Sequence, residues 1–261
     1  MAESLFIVTG ASRGMGAAIA DQLLEARHTV LGISRSTNES LQSRASTTGA
    51  SLEQWPRDLA HAPAVADEVE AWLRRFDAQR FDRAVLINNA GVITRVGPMD
   101  ECTSAELSAA LRVGLESALL LTASFLRATR GWKAMREGHV KVLNISSGLG
   151  RRAMAGSAPY CASKAGMDHF SRAAALDEAH LAKTKGSGAK IVSLAPGVID
   201  TDMQAQLRSA DSTGFPDQGN FVGMHTSGQL SSPHDAAAKV LAYLNRKDFG
   251  SNPVADVRDP E

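Results

Sequence analysis

The chain is poor in cysteine, with two residues, Cys102 and Cys161, among 261. Two thiols cannot build a disulfide framework, which excludes the small cross-linked secreted class and fits a reducing, cytoplasmic compartment. Charge of one sign is also lacking. Lys and Arg number 28 and Asp and Glu 28, a formal net charge of zero. No broad basic face is available to hold a phosphate backbone, so no nucleic-acid partner is expected. No stretch approaches the roughly eighteen consecutive apolar residues of a membrane span, so no membrane partner is expected either. The opening stretch, MAESLFIVTG, has no basic segment and no cleavage-like site. Its short apolar run reads as a first strand and not as a secretory signal. The seven histidines are scattered without metal-ligand spacing, so no metal is expected.

What is present is alternation. Short apolar runs at Leu5 to Thr9, Thr29 to Ile33, Leu52 to Trp55, Ala84 to Ile87, Val140 to Ile145 and Ile191 to Leu194 read as strands. Between them lie stretches of helical spacing: Met15 to Glu25, the face formed by Val65, Val69, Trp72 and Leu73, Leu107 to Leu126, and Tyr160 to Leu181. Such alternation predicts one α/β domain, a doubly wound parallel sheet of the Rossmann type with helices on both faces. A last helix is expected over Pro233 to Leu244, followed by a short tail. The segment Ser209 to Ser232 is rich in Gly, Ser, Asp and Pro and too long for an ordinary connection. It reads as a substrate-loop insertion, about 202–232, that forms a mobile lid. The lid would pack Phe215, Phe221, Val222 and Met224 over a substrate.

The first strand runs straight into Gly10-Ala11-Ser12-Arg13-Gly14-Met15-Gly16 and a helix. Gly10 lets the chain turn sharply, and Gly14 and Gly16 let backbone and helix approach a pyrophosphate. The helix N-terminus adds free N–H groups and a positive dipole end. The second strand ends Ser34-Arg35-Ser36, without the acid that holds a ribose 2′-hydroxyl in NAD sites. A guanidinium suits a 2′-phosphate, so Arg35, helped by Arg13, predicts NADP as cofactor.

Tyr160 and Lys164 stand four residues apart on one helical face. Free tyrosine titrates near ~10, and a neighbouring ammonium is expected to lower that value, giving a proton donor with its tuner. Ser147 ends the fifth strand at the carboxyl edge, where ligands bind in such sheets, and its hydroxyl can hold a carbonyl. Asn88-Asn89-Ala90-Gly91 follows the fourth strand and Pro196-Gly197 the sixth.

Together these motifs resemble the short-chain dehydrogenase/reductase family: TGASRGMG, NNAG, the Ser–Tyr–Lys set and APGVIDTDM stand in family order over most of the chain. The resemblance implies that Tyr160 is the general acid in carbonyl reduction, that Lys164 also binds the nicotinamide ribose, and that Ser147 orients the carbonyl. It implies a cofactor site at Gly10, Ser12, Arg13, Gly14, Met15, Gly16, Ser34 and Arg35. Asp58, Leu59 and Asn88 would border the adenine. Ala90, Gly91, Pro196 and Gly197 line the same edge, with Ile199 and Thr201 at the nicotinamide end. One position departs from the pattern. Gly114 stands where the family carries a fourth catalytic residue, an asparagine whose role is to support a relay water. A water is expected in the space it vacates.

Within the family, LNISSG, APYCASKAG and the C-terminal ADVRD resemble the sepiapterin reductase-like subgroup, with Asp256 at the place of a substrate-anchoring aspartate. The expected function is therefore an NADPH-dependent carbonyl reductase acting on pterins or vicinal diketones. A dehydrogenase of another secondary alcohol and a low-turnover NADPH-binding regulator stay open as alternatives. The apolar helix around Leu115, Leu119, Leu120, Leu121 and Leu126 is greasy on more than one face and predicts a homodimer.

Overall fold

The computed structural model describes residues 3–260. Seven strands form one parallel sheet: β1 (Ser4–Thr9), β2 (His28–Ser34), β3 (Ser51–Pro56), β4 (Arg83–Asn88), β5 (Val140–Ile145), β6 (Lys190–Ala195) and β7 (Val254–Asp256). Their order is β3-β2-β1-β4-β5-β6-β7. The chain winds outward one way from β1 and then the other way from β4, so the crossovers on either side of the β1/β4 junction leave a crevice at the carboxyl edge. The inner strands are mostly apolar because helices cover both faces, whereas the edge strand β3 is half exposed.

One face is covered by α1 (Gly14–Leu23), α2 (Glu39–Thr48) and α10 (Pro233–Asn245), whose core with the sheet includes Phe6, Ile19, Leu143, Val240 and Phe249. The other face carries α3 (Ala62–Leu73), α4 (Ser104–Leu111), α5 (Ser117–Thr129), the short α6 (Lys133–Arg136) and the long α7 (Ala158–Lys185), with Leu5, Leu31, Trp72, Phe81 and Phe125 in its core. Two further helices, α8 (Asp202–Arg208) and α9 (Gln218–Thr226), follow β6.

Two sequence expectations are corrected here, one unassigned segment gains a helix, and one apolar run is placed in the core. The tail after α10 is no loose end, because β7 adds a seventh strand, pairing Ala195 with Asp256. The segment 36–50, unassigned from sequence, holds α2. Its weak apolar pattern buries only Leu41 and Ala45, but Asn38 caps it by accepting from Ser40 N at 2.9 Å. The expected single helix Leu107 to Leu126 is broken by one π-turn, Arg112–Glu116, centred on Gly114. Finally, the run Ser104–Thr129 has a mean hydropathy of 1.5 and is apolar and long enough to cross a membrane by composition. Counting only charge-free runs misses it. Here it packs on α3 and β4 with Leu121 and Phe125 fully buried, as a core helix does.

Candidate active site

The glycine turn is shaped by sterics at each position. Gly10 has φ of +69° and Gly14 of +56°, left-handed values that side chains resist. Gly16 is helical, but a Cβ there would fall 2.1 Å from the Gly10 carbonyl oxygen and 2.4 Å from Asn89 Nδ2. The turn therefore closes to a backbone-lined cradle that a methyl group would fill, and this fits a dinucleotide pyrophosphate at the α1 N-terminus. The NNAG segment is tied to it. Thr9 Oγ1 accepts from the backbone N–H of Asn89 and of Ala90, both at 2.9 Å, and Asn89 Nδ2 donates to the Thr9 carbonyl at 2.9 Å. Thr9 and Asn89 had no assigned role in the sequence reading. Their only trace there was position, at the two strand ends that flank the crevice.

The expected cofactor residues gather along this edge with different side-chain duties. Ser12 and Met15 lie in the turn, where the Ser12 carbonyl accepts from Asn38 Nδ2 at 3.1 Å and Met15 is buried. Ser34 Oγ donates to the Ser36 carbonyl at 2.8 Å. Arg35 is exposed and has no hydrogen-bond or ion-pair partner among the described residues. Arg13 instead reaches across the crevice to Asp202 at 2.7 Å, an exposed pair. Asp58 caps the turn that follows β3, accepting from Ala60 N at 2.9 Å, and Leu59 beside it is buried. Asn88 turns away from the crevice. Its buried amide donates to Asn144 Oδ1 at 2.8 Å, Thr122 Oγ1 at 3.2 Å and the Ala118 carbonyl at 3.3 Å, so its side chain braces α5 against the sheet. Opposite, Pro196 and Gly197 follow β6, Ile199 bridges to Ser231, and the Thr201 methyl lies 3.8 Å from where a Gly14 Cβ would sit.

The catalytic set is brought together. Ser147 follows β5 by two residues, Tyr160 stands in the first turn of α7, and the Ser147 hydroxyl comes near enough to the phenol to pull its titration down. Lys164 lies one turn further on α7, buried, with Nζ donating to the Ile145 carbonyl at 2.7 Å and standing 5.6 Å from the Tyr160 ring centroid. The Gly91 turn lies against this ammonium, a Cβ there being 3.7 Å from Nζ. The expected lowering of the phenol is not found. Burial pushes Tyr160 up to about 12, against a smaller downward pull from Ser147. The Lys164 ammonium donates to the Ile145 carbonyl and does not offset this burial, which brings Lys164 itself down to about 8. The phenol is thus protonated at neutral pH, as a proton donor must be.

Three further expectations change. Gly114 is closely packed: a Cβ there would lie 3.0 Å from Ser163 Oγ and 3.1 Å from Ser163 Cβ, so the missing side chain leaves little open space at this point of the backbone. The carboxylate of Asp256 is not open to a ligand. Arg258 grips it through Nε at 2.7 Å and a second guanidinium nitrogen at 2.6 Å. The segment expected as a loose lid is partly helical and rooted. Phe215 is fully buried at Gly156, just before α7, where the Gly97 N–H donates to the Gly156 carbonyl at 3.1 Å. Phe221 stands 5.6 Å away, Met224 is half-buried, and Val222 is exposed. A cavity of about 660 Å³ lies between this segment and the loop after β4, lined by Val92, Ile93, Arg95, Gln206 and Thr213 among others, but by none of the catalytic three.

The family model for short chain dehydrogenases matches residues 4–212, most of the chain. This protein belongs to that family. It is an oxidoreductase acting on carbonyl and hydroxyl groups. Benzil reductase, the (S)-benzoin-forming enzyme of Bacillus cereus, is 32% identical over 243 residues, covering 93% of this chain and 94% of that one. Among solved structures, a metagenomic short-chain oxidoreductase in complex with NADP matches with a TM-score of 0.68 at 25% identity, over 98% of this chain and 95% of that one. The 3-oxoacyl-acyl-carrier-protein reductase of Brucella melitensis in complex with NAD has a TM-score of 0.78 at 21% identity, over 98% and 96%, a likeness of fold.

Proposed function

We propose that this short-chain dehydrogenase is an NADPH-dependent reductase of vicinal diketones. The observation that carries the chemistry is the meeting of Ser147, Tyr160 and the buried Lys164 at the carboxyl edge, with Lys164 Nζ 5.6 Å from the Tyr160 ring. Bound at the glycine turn, the dinucleotide supplies hydride. Ser147 and Tyr160 hydrogen-bond the carbonyl oxygen, and the phenol, protonated at neutral pH, delivers its proton to that oxygen as negative charge develops there. Lys164 holds positive charge beneath the developing phenolate. The intact set weighs against a merely regulatory protein.

Arg35 supports NADPH over NADH. It is the free cation at the end of β2, and no acid stands there to repel a 2′-phosphate. Arg13 is the second phosphate ligand in this reading, since an exposed ion pair such as Arg13–Asp202 contributes only about 0–1 kcal/mol and yields readily. The diketone assignment rests on the full-length similarity to benzil reductase and on the cavity beside the site, whose volume falls in the usual range for small-molecule sites. Segment 202–232 is then a substrate-side insertion with a fixed root at Phe215. A pterin is the weaker choice because its anchor, Asp256, is held by Arg258. Exposed Leu111, Leu119 and Leu176 on α4, α5 and α7 support a homodimer through these helices. The free thiols of Cys102 and Cys161 agree with a cytoplasmic setting.

NADPH oxidation over a panel of aromatic and aliphatic 1,2-diketones, a dihydropterin ketone and a 3-oxoacyl thioester tests the reading. Fastest turnover on a diketone is expected, and preference for either other class would overturn it. Light scattering that finds only monomer at micromolar concentration would remove the dimer.

A further inference from the structure

Asp168 lies on α7 one turn beyond Lys164 and two beyond Tyr160, so the three share one helix face. It is 2% exposed. Its Oδ1 accepts two hydroxyls, Ser146 of β5 at 2.6 Å and Ser193 of β6 at 2.7 Å. Those lengths are those of O–H groups donating to an ionised carboxylate. Its Oδ2 is buried and has no hydrogen-bond partner among the described residues. That oxygen fits only because residue 150 is glycine, where a Cβ would sit 2.7 Å from it.

A buried carboxylate with half its acceptor capacity unused is costly unless a positive charge stands near. Two do. Arg151, in the turn after β5, has Nε 3.9 Å from Oδ2, but a third of its side chain is exposed and it also donates to the Ala255 carbonyl, with Asp256 of β7 nearby. Lys164, one turn back on the same helix face, is the buried one; its ammonium donates to the Ile145 carbonyl, next to the Ser146 whose hydroxyl Asp168 accepts, and faces the Tyr160 ring. From β4 the Gly91 turn brings no charge, and neither do Gly114 of the π-turn and Ser163 of α7 packed against it. Burial depresses Lys164, and the Asp168 charge acts in the opposite direction.

We propose that Asp168 is a positioning residue of this active site, a buried counter-charge that keeps Lys164 an ammonium beneath Tyr160. It rests on the assignment of Lys164 to the catalytic set. The serines hold the carboxylate still, and the carboxylate acts through space on the lysine.

The experiment reads Lys164 directly, by following its side-chain NMR resonance against pH in the unliganded protein. Asp168→Asn keeps an acceptor for both serines and removes the charge. Its Lys164 titration should move down by about one pH unit, the low end for an opposite charge without a direct ion pair. The alkaline limb of kcat/KM for carbonyl reduction should move down with it, while the acidic plateau stays. Ser193→Ala keeps the charge and loses one hydrogen bond, so it should leave the Lys164 titration in place. An unmoved Lys164 in Asp168→Asn, a loss of rate equal at every pH, or an equal shift in Ser193→Ala would overturn the proposal. Should Asp168→Asn not fold, Arg151→Ala decides: it removes the other positive charge beside the carboxylate, so the Lys164 titration should move up, and an unmoved titration overturns the proposal. Failure to reduce any ketone would sink the reductase assignment and leave the Lys164 titration standing.

Discussion

Alanine at Gly14 and at Gly16 should behave differently, although both glycines belong to one motif. At Gly14 there is room, the nearest heavy atom to a new Cβ being the Thr201 methyl at 3.8 Å. The penalty is the left-handed backbone alone, about 1–2 kcal/mol for a residue with a side chain. At Gly16 the backbone is ordinary helix, where alanine gains about 1 kcal/mol over glycine. Its methyl, however, would stand 2.1 Å from the Gly10 carbonyl oxygen and 2.8 Å from the Gly10 carbonyl carbon. A relaxed contact needs on the order of 1 Å more, and what must move is backbone at the turn, not the end of a side chain. Overpacking of this kind destabilises by about 1–3 kcal/mol or more. Because the displaced atoms form the pyrophosphate cradle, the loss should appear mainly in dinucleotide binding, where each ~1.4 kcal/mol is tenfold in Kd. Nucleotide fluorescence titration and thermal unfolding, run on both variants, check this. Gly14→Ala should lose stability but bind NADPH within a fewfold of the parent, and Gly16→Ala should lose binding by a hundredfold or more on the order of 3 kcal/mol. Parental NADPH affinity in Gly16→Ala would refute the steric reading of the turn.

Tyr160→Phe should fold and bind cofactor while turnover falls about 10²–10⁴-fold, as loss of a general acid requires; single-turnover kinetics showing near-parental rates would exclude the phenol as donor. Arg35→Ala should raise KM for NADPH far more than for NADH, by the roughly 1.5–3 kcal/mol of a lost charge-assisted contact, and equal effects on the two would remove the basis for NADP. Gly114→Asn should destabilise by about 1–3 kcal/mol, since Ser163 occupies the space, and the companion Ser163→Gly should recover part of it; chemical denaturation of the single and double variants decides. Phe215→Ala should cost less than the about 3–5 kcal/mol of a central core phenylalanine, because it pins one segment, but should loosen hydrogen exchange over 209–228 in particular.

The parallel sheet, its crevice and the residues around it were legible because each has a local signature. Period and punctuation mark six strands, the left-handed and crowded positions demand glycine at Gly10, Gly14 and Gly16, and the i, i+4 spacing places Tyr160 and Lys164 on one face. What stayed hidden depends on partners far away in the chain. β7 is three residues long and becomes a strand only because β6 offers an edge. Asp256 reads as a free anchor until Arg258, two residues on, turns back to grip it. The segment 209–232 has the composition of a loose loop, yet Phe215 finds a slot that exists only because Gly97, Gly156 and Gly214, distant in sequence, meet there. The phenol of Tyr160 looked tunable from the spacing alone, but spacing says nothing about burial, and burial decides its titration.

The same limit explains the least legible feature, what holds α7 in register. A helix that carries two catalytic groups must not rotate, and apolar contacts alone permit small rotations because methyl and methylene surfaces have no direction. α7 instead presents Lys164, Asp168 and Ser171 to the sheet in steps of four and three, and each is fixed by directional bonds. Lys164 donates to the Ile145 carbonyl, Asp168 accepts from Ser146 and Ser193, and Ser171 accepts from Asn144 Nδ2 at 2.9 Å. Asn144 in turn accepts from Asn88, whose strand ends in the turn that Thr9 ties to the glycine cradle. One polar chain therefore runs from the cofactor turn through β4 and β5 to the helix of Tyr160. Each buried hydrogen bond adds only about 0.5–1.5 kcal/mol, but leaving any one group unpaired costs about 1–3 kcal/mol, so the chain is held as a unit. In the proposed mechanism it sets the distance between the glycine cradle and the Tyr160 phenol, which an apolar interface of equal area would leave free to drift.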